Sequence, residues 1–183
     1  GMGMTAIWLT PPVANQWWST PYQATGWHGY WASNFKEVDA HFGTLEDYQR
    51  LSHELHSNGM YLIQDIVGNH VGNFYAYEGE YTPDDTAENF VLLEPYSHQP
   101  APDQYPFNMI DRNNPEHAAA NIYHWTPMIT DYDDPDQVFN YTFGFLGDLN
   151  TENPVVIEAL QESYKHWVAE VGVDGFRIDT VQY

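Results

Sequence analysis

Short apolar runs alternate with amphipathic segments in this chain, and that order leaves few folds open to it. Residues 5–10 (Thr-Ala-Ile-Trp-Leu-Thr) form an apolar run that Pro11-Pro12 ends, which reads as a buried strand. A loop follows to about Gly43. Thr44-Leu45-Glu46-Asp47 is then a capping-box-like start, and Leu45, Tyr48, Leu51 and Leu55 mark one helical face before Asn58-Gly59 stops it. Residues 60–67 (Met-Tyr-Leu-Ile-Gln-Asp-Ile-Val) read as a second strand. Asn153-Pro154 opens another helix, with proline at its first position. Val156, Leu160, Tyr164, Trp167 and Val171 give that helix an apolar face, Gly172 ends it, and a third strand follows. Strands alternating with amphipathic helices predict parallel βαβ units in an α/β fold.

One connection breaks the pattern. Residues 73–147 carry no clear period and many Pro, Asp, Asn and Tyr. Usual βα loops have ~2–6 residues, so this stretch is predicted to be an irregular insertion at the C-terminal ends of the strands. The expected division is a βαβ part over 1–72, the insertion over 73–147, and the remaining helix and strand over 148–183.

Charge and composition exclude several roles. Asp and Glu number 26 against 5 Lys and Arg, a net charge of −21. Phosphates would be repelled, so neither nucleic acid nor an anionic membrane is an expected partner. No apolar run is long enough for a membrane span. Cysteine is absent, which excludes disulfides and thiolate metal sites. His53-Glu54-Leu55-His56 is one residue short of a zinc-binding pattern and reads as a pair of surface histidines. Aromatic residues cluster in loop-like sequence at Trp17, Trp18, Tyr22, Trp27, Tyr30 and Trp31. Such a cluster either stacks on sugar rings, whose C–H faces are apolar, or tucks its own loop in.

The third strand carries the chemistry. In residues 172–180 (Gly-Val-Asp-Gly-Phe-Arg-Ile-Asp-Thr), Arg177 and Asp179 lie two apart and therefore point the same way. Phe176 and Ile178 point the other way, toward expected apolar packing. A carboxylate beside a fixed guanidinium is held ionised, which suits a nucleophile. At the end of the second strand, Asp65, Val67 and Asn69 share a face and His70 follows. There Asn69 is either an oxygen ligand for a cation or part of an Asx-type turn. His70 either donates to a substrate or merely caps.

Four motifs occur in order: Trp27-His28-Gly29-Tyr30-Trp31, the strand ending in Asn69-His70, Leu146-Gly147-Asp148-Leu149-Asn150, and Gly175-Phe176-Arg177-Ile178-Asp179. In these the chain resembles the alpha-amylase family (glycoside hydrolase family 13) over essentially its whole length. The resemblance implies part of a TIM (β/α)8 barrel, about strands two to four, with the inserted B domain. It implies α-glucan or maltooligosaccharide substrates such as starch, and a retaining mechanism. Asp179 matches the nucleophile and Arg177 the arginine that holds it ionised. Tyr30 and Trp31 match aromatic substrate contacts, His70 a histidine bonding the sugar, and Asp65 a carboxylate behind the first contacts. Asn69 and Asp148 match calcium ligands joining barrel and insertion, and hard oxygen ligands suit calcium.

Two departures follow from the same resemblance. Gln182-Tyr183 stand where many members have Lys-His, which touches the aglycone contact and one calcium carbonyl. The family's acid/base glutamate belongs to a following strand, so the chain alone is expected to be hydrolytically inactive. Unpaired barrel edges lead to an expectation of self-association. An extracellular or periplasmic setting is implied by the resemblance alone. The rival reading is a non-catalytic carbohydrate-binding or structural barrel fragment.

Overall fold

The computed structural model describes residues 3–93 and 102–181. Gln182 and Tyr183, and with them the Lys-His departure, lie outside the described residues. In chain order the elements are β1 (Ala6–Leu9), β2 (Val13–Asn15), β3 (Trp18–Ser19), β4 (Ala24–Thr25), β5 (Ala32–Val38), α1 (Leu45–Ser57), β6 (Tyr61–Val67), β7 (His70–Val71), β8 (Tyr75–Tyr77), β9 (Phe90–Leu92), α2 (Pro115–Ala120), α3 (Pro135–Asn140), β10 (Gly147–Asp148), α4 (Pro154–Glu170) and β11 (Gly175–Asp179).

The expected parallel frame is present. A three-stranded sheet runs β1-β6-β11, with both outer strands parallel to β6. α1 starts on a complete capping box, in which Thr44 and Asp47 satisfy each other's backbone N–H groups. Asn153 caps α4 by accepting from Val155 N–H, with Pro154 following. Both helices cover one face of the sheet. Leu62, Gln64 and Ile66 of β6 are buried on that face, among the apolar side of α1 (Tyr48, Leu55) and that of α4 (Val156, Leu160, Trp167). Trp167 is fully buried and its indole N–H donates to Phe35 O at 2.9 Å. No helix among the described residues is long and apolar enough to cross a membrane.

Two features depart from the sequence expectations. The stretch after β1 is more than a loop: β2 pairs antiparallel with β5, and β3 with β4. β2, β3 and β4 have two or three residues, too few to display a period, and the seven-residue β5 buries its first four positions in a row, so it shows no alternation. In β11 only Phe176 packs as expected, against Tyr164 at 5.9 Å. Ile178 is 53% exposed, because β11 is an outer strand whose end the helices do not reach.

Between β7 and β10 the described residues carry the β8–β9 hairpin, α2 and α3. This stretch is tied back through β7 and β10, which pair antiparallel with Asp148 opposite His70.

Asp174 sets the register of β11. Its N–H donates to Leu62 O at 3.0 Å, and its carboxylate accepts from Leu62 N–H and meets His56 Nε2, each at 2.8 Å. The Leu62 N–H and then His56 hold this carboxyl below its ordinary value of 3.8. A lowered folded-state pKa contributes stability that is present above the ordinary value and lost as pH falls through the lowered one. Asp174→Asn is therefore expected to flatten the loss of stability below about pH 4. Urea midpoints at pH 3 and pH 6 check this, and an unchanged difference between them would refute it.

Candidate active site

The site begins with a carboxylate in the middle strand. Asp65 lies on the face of β6 opposite the helices and is fully buried. Arg177 stands beside it in register on β11. Arg177 Nη1 donates to both Asp65 oxygens at 3.1 Å and to Asp179 Oδ1 at 2.6 Å. The two carboxylates, Asp65 first, raise the pKa of the guanidinium further, so one permanent cation serves two anions. Tyr30 closes the arrangement by donating its hydroxyl to Asp65 Oδ2 at 2.6 Å. Burial, then the hydrogen bond to Asp65, pushes the Tyr30 phenol far up, so it remains a donor.

Asp65 thus sits beneath the site, with both oxygens engaged by Arg177 and Tyr30. A fully buried carboxylate orients the groups that face the cavity and does not line it. Asp179 does line the cavity, as do Tyr30, Trp31, His70, Asn69 and Asp148.

The cavity has a volume of about 950 Å³, within the range of small-molecule sites. One side is the aromatic loop 27–31, pressed onto the barrel. At Gly29 (φ +84°) a Cβ would stand 2.1 Å from Pro11 O, so only glycine lets the loop come this close. Gln16 N–H donates to Trp31 O at 2.8 Å, and Trp31 N–H to Asn15 Oδ1 at 2.9 Å. The other side is the insertion, which contributes Tyr132, Tyr141 and Phe143. Of the loop aromatics, Tyr22, Trp27, Tyr30 and Trp31 line the cavity, whereas Trp17 stacks on His41.

His28, which the sequence leaves as either substrate-adjacent or structural, lines the cavity. Its Nδ1 accepts from Tyr30 N–H at 3.1 Å, and its ring stands perpendicular to Trp31 at 4.7 Å. Burial pushes its pKa down. The signal was the His-Gly-Tyr turn itself, since a histidine two residues before an aromatic can bond that residue's backbone.

His70 is buried, and burial pushes its pKa down to about 4, so the ring is neutral near pH 7. Its Nε2 faces Tyr30 O and its Nδ1 faces Asn69 Oδ1, each at 3.1 Å. A neutral imidazole carries one N–H, so here His70 braces the Tyr30 backbone.

Asn69 and Asp148 occupy neighbouring positions, since Leu149 N–H donates to Asn69 O at 2.9 Å. Their side chains offer hard oxygens, the donor type calcium takes. Asn69 Oδ1 accepts from the Thr180 hydroxyl. Asp148 Oδ2 meets His124 Nδ1 at 2.6 Å, and that bond to Asp148 raises the His124 pKa. Among the described residues there is no group of three or more His, Asp or Glu placed to hold a metal. A cation here would draw its other ligands from carbonyl groups or water. His53 and His56 form no such group either, since His56 is engaged with Asp174.

Residues 1–183 match the family described as Alpha amylase, catalytic domain. The chain is 31% identical over 216 residues to an alpha-amylase of Streptomyces lividans, covering 100% of this chain and 22% of the relative. It is 33% identical over 187 residues to a cyclomaltodextrin glucanotransferase of Geobacillus stearothermophilus, covering 100% and 23%. Among solved structures, the alpha-amylase of Geobacillus thermoleovorans complexed with acarbose aligns with a TM-score of 0.67 and 33% identity, over 99% of this chain and 31% of that one. A gamma-cyclodextrin glucanotransferase from alkalophilic Bacillus clarkii aligns with a TM-score of 0.69 and 27% identity, over 100% and 23%. The chain thus spans about a fifth to a third of the length of these relatives.

Proposed function

The chain belongs to the alpha-amylase family, and from that premise we propose that its cavity holds an α-glucan or maltooligosaccharide with Asp179 as the glycosyl nucleophile. The observation that carries the reading is Arg177, whose one Nη1 bridges buried Asp65 and cavity-facing Asp179. It fixes the attacking carboxylate beneath a cavity walled by aromatic rings, whose faces suit the C–H faces of sugars. Tyr30 and Trp31 stack on the sugar nearest the bond to be broken, and His70 and His28 hold their loop in place.

In a retaining mechanism the nucleophile attacks the anomeric carbon and a second carboxyl, ~5–5.5 Å away, protonates the leaving oxygen. Among the described residues, the carboxylates lining the cavity are Asp148 and Asp179, and Asp148 is engaged by His124. The described residues therefore supply the nucleophile half of the pair. Without such an acid the rate falls by ~10²–10⁴-fold, so the described residues by themselves are expected to cleave starch poorly.

The test uses a substrate whose departure needs no proton. With α-maltosyl fluoride the C–F bond breaks, an ester forms between the anomeric carbon and an Asp179 oxygen, and fluoride leaves. Intact-mass spectrometry is expected to find one maltosyl group, and peptide mapping to place it on Asp179. Saturable maltoheptaose binding without any such adduct would instead support the rival reading, a carbohydrate-binding domain without catalysis. Whether water or another sugar then accepts the glycosyl group divides hydrolase from transferase, and relatives of both kinds are found.

Calcium is the proposed structural cofactor, held by Asn69 and Asp148, and its contribution is a cross-link between the β6 end and the insertion. An ion at 100 times its Kd stabilises by about 2.7 kcal/mol, which for a chain of this size raises Tm by about 5–10 °C. Chelation is expected to lower the melting temperature by that amount, and Asp148→Ala to abolish the difference. A chelator that shifts nothing would remove both residues as a site.

A further inference from the structure

The insertion side of the cavity is thin. Thr142, Gly144, Leu146 and Met128 line the large cavity on one side and a second cavity of about 180 Å³ on the other. The wall thus has open space on both sides, and Phe143, which lines the large cavity, is 69% exposed. Backbone bonds hold the two ends of the segment: Thr142 N–H donates to Pro127 O at 2.9 Å, and Gly147 N–H to Gly72 O at 3.1 Å.

Between those ends, the segment also meets a side chain from the other side of the cavity. Tyr22, from the connection between β3 and β4, accepts from Phe145 N–H at 2.9 Å through its hydroxyl oxygen. Its ring stacks on Trp31 (5.7 Å, 15°) and meets Phe145 edge-on (5.4 Å, 68°). Gly144 has φ +63°, and a Cβ there would lie 1.5 Å from Tyr22 Oη. The glycine is thus needed twice, for a left-handed backbone and for the space the tyrosine enters. A phenol that spans two lobes, enters a gap left by a glycine and rests on a site tryptophan is placed to do more than fill volume.

We propose that Tyr22 is a positioning residue: it latches the 142–146 wall onto the Trp31 side of the cavity and so sets the distance between Phe143 and Tyr132 on one side and Trp31 on the other. The saccharide part of this inference rests on the reading of the cavity as an α-glucan site; the latch itself does not. Its consequence is a preference for chain length. A maltoheptaose long enough to touch both sides depends on the latch, whereas maltose, seated on the aromatic loop near Asp179, does not.

The experiment compares the 183-residue chain with Tyr22→Phe, which keeps both ring contacts and removes the hydroxyl, and with Gly144→Ala, which displaces it. Hydrogen exchange is read at the Phe145 amide and, as a reference, across α1 and β6. Tyr22→Phe is expected to speed exchange at Phe145 roughly 2- to 10-fold, the scale of one neutral hydrogen bond, and to leave the reference amides unchanged. Calorimetry is expected to show maltoheptaose binding weakened by a similar factor with maltose binding unchanged, a ratio that a general loss of stability would not alter. Unchanged Phe145 exchange in both variants overturns the latch. Faster exchange with an unchanged maltoheptaose-to-maltose ratio overturns its effect on specificity. If neither sugar binds the unsubstituted chain, the α-glucan reading and the length preference fall together, and the latch is decided by the exchange data alone.

Discussion

Asp179→Asn is expected to abolish glycosyl capture from α-maltosyl fluoride. The amide keeps the size and position of the carboxylate and can still accept from Arg177, so the site remains assembled. It carries no charge and its oxygen is a poor nucleophile, so the attack on the anomeric carbon loses its driving group. Removal of a covalent nucleophile is felt at about 10³-fold or more. The measurement is fluoride release together with the mass of the intact chain. Because Asp179 is at the exposed end of β11 and Asp65 still holds Arg177, melting should be close to that of the unsubstituted chain. An Asp179→Asn chain that still acquires a maltosyl group would move the nucleophile elsewhere.

Trp167→Ala is expected to remove a large part of the stability of the fold. The indole is fully buried, stands 5.9 Å from the Tyr48 ring, and donates to Phe35 O. It therefore joins α4, α1 and β5 at one point. Truncating such a residue costs about 3–5 kcal/mol, against roughly 5–15 kcal/mol for a whole domain. Trp167→Phe keeps most of the volume and strands the Phe35 carbonyl, for a smaller loss of about 1–3 kcal/mol. Urea midpoints should rank the unsubstituted chain above Trp167→Phe and Trp167→Ala last. Equal midpoints would show that this junction is not where the helices are joined to the strands.

The parallel frame was legible because its signals are local and strong. The Thr44 capping box, the Asn153-Pro154 start and the seven-residue β6 each declare themselves within a few positions. The short helices α2 and α3 were passed over because neither buries a residue, so neither shows an apolar face. Their starts were nonetheless written: Asn114-Pro115 and Asp134-Pro135 share the signal of Asn153-Pro154. Pairs such as β2 with β5 are fixed by distant partners, and no window of sequence contains both. At the site, the Arg177–Asp179 bond followed from strand alternation. The Tyr30–Asp65 bond spans 35 positions and needed the fold to reveal it.

The pairing of Arg177 with Asp65 across parallel strands has a consequence for how such a chain can change length. A strand shifted by one residue turns every side chain to the opposite face. Losing or gaining one residue between Gly172 and Gly175 would send Arg177 and Asp179 toward the helices and bring Phe176 and Ile178 to the cavity, with composition almost untouched. Asp174, bonded in both directions to Leu62, acts as the index pin against that slip. The wall around α3 is under no such count, because it pairs with no strand of the three-stranded sheet. Length variation is thus cheap in the wall that shapes the cavity and forbidden in the few residues that aim its nucleophile.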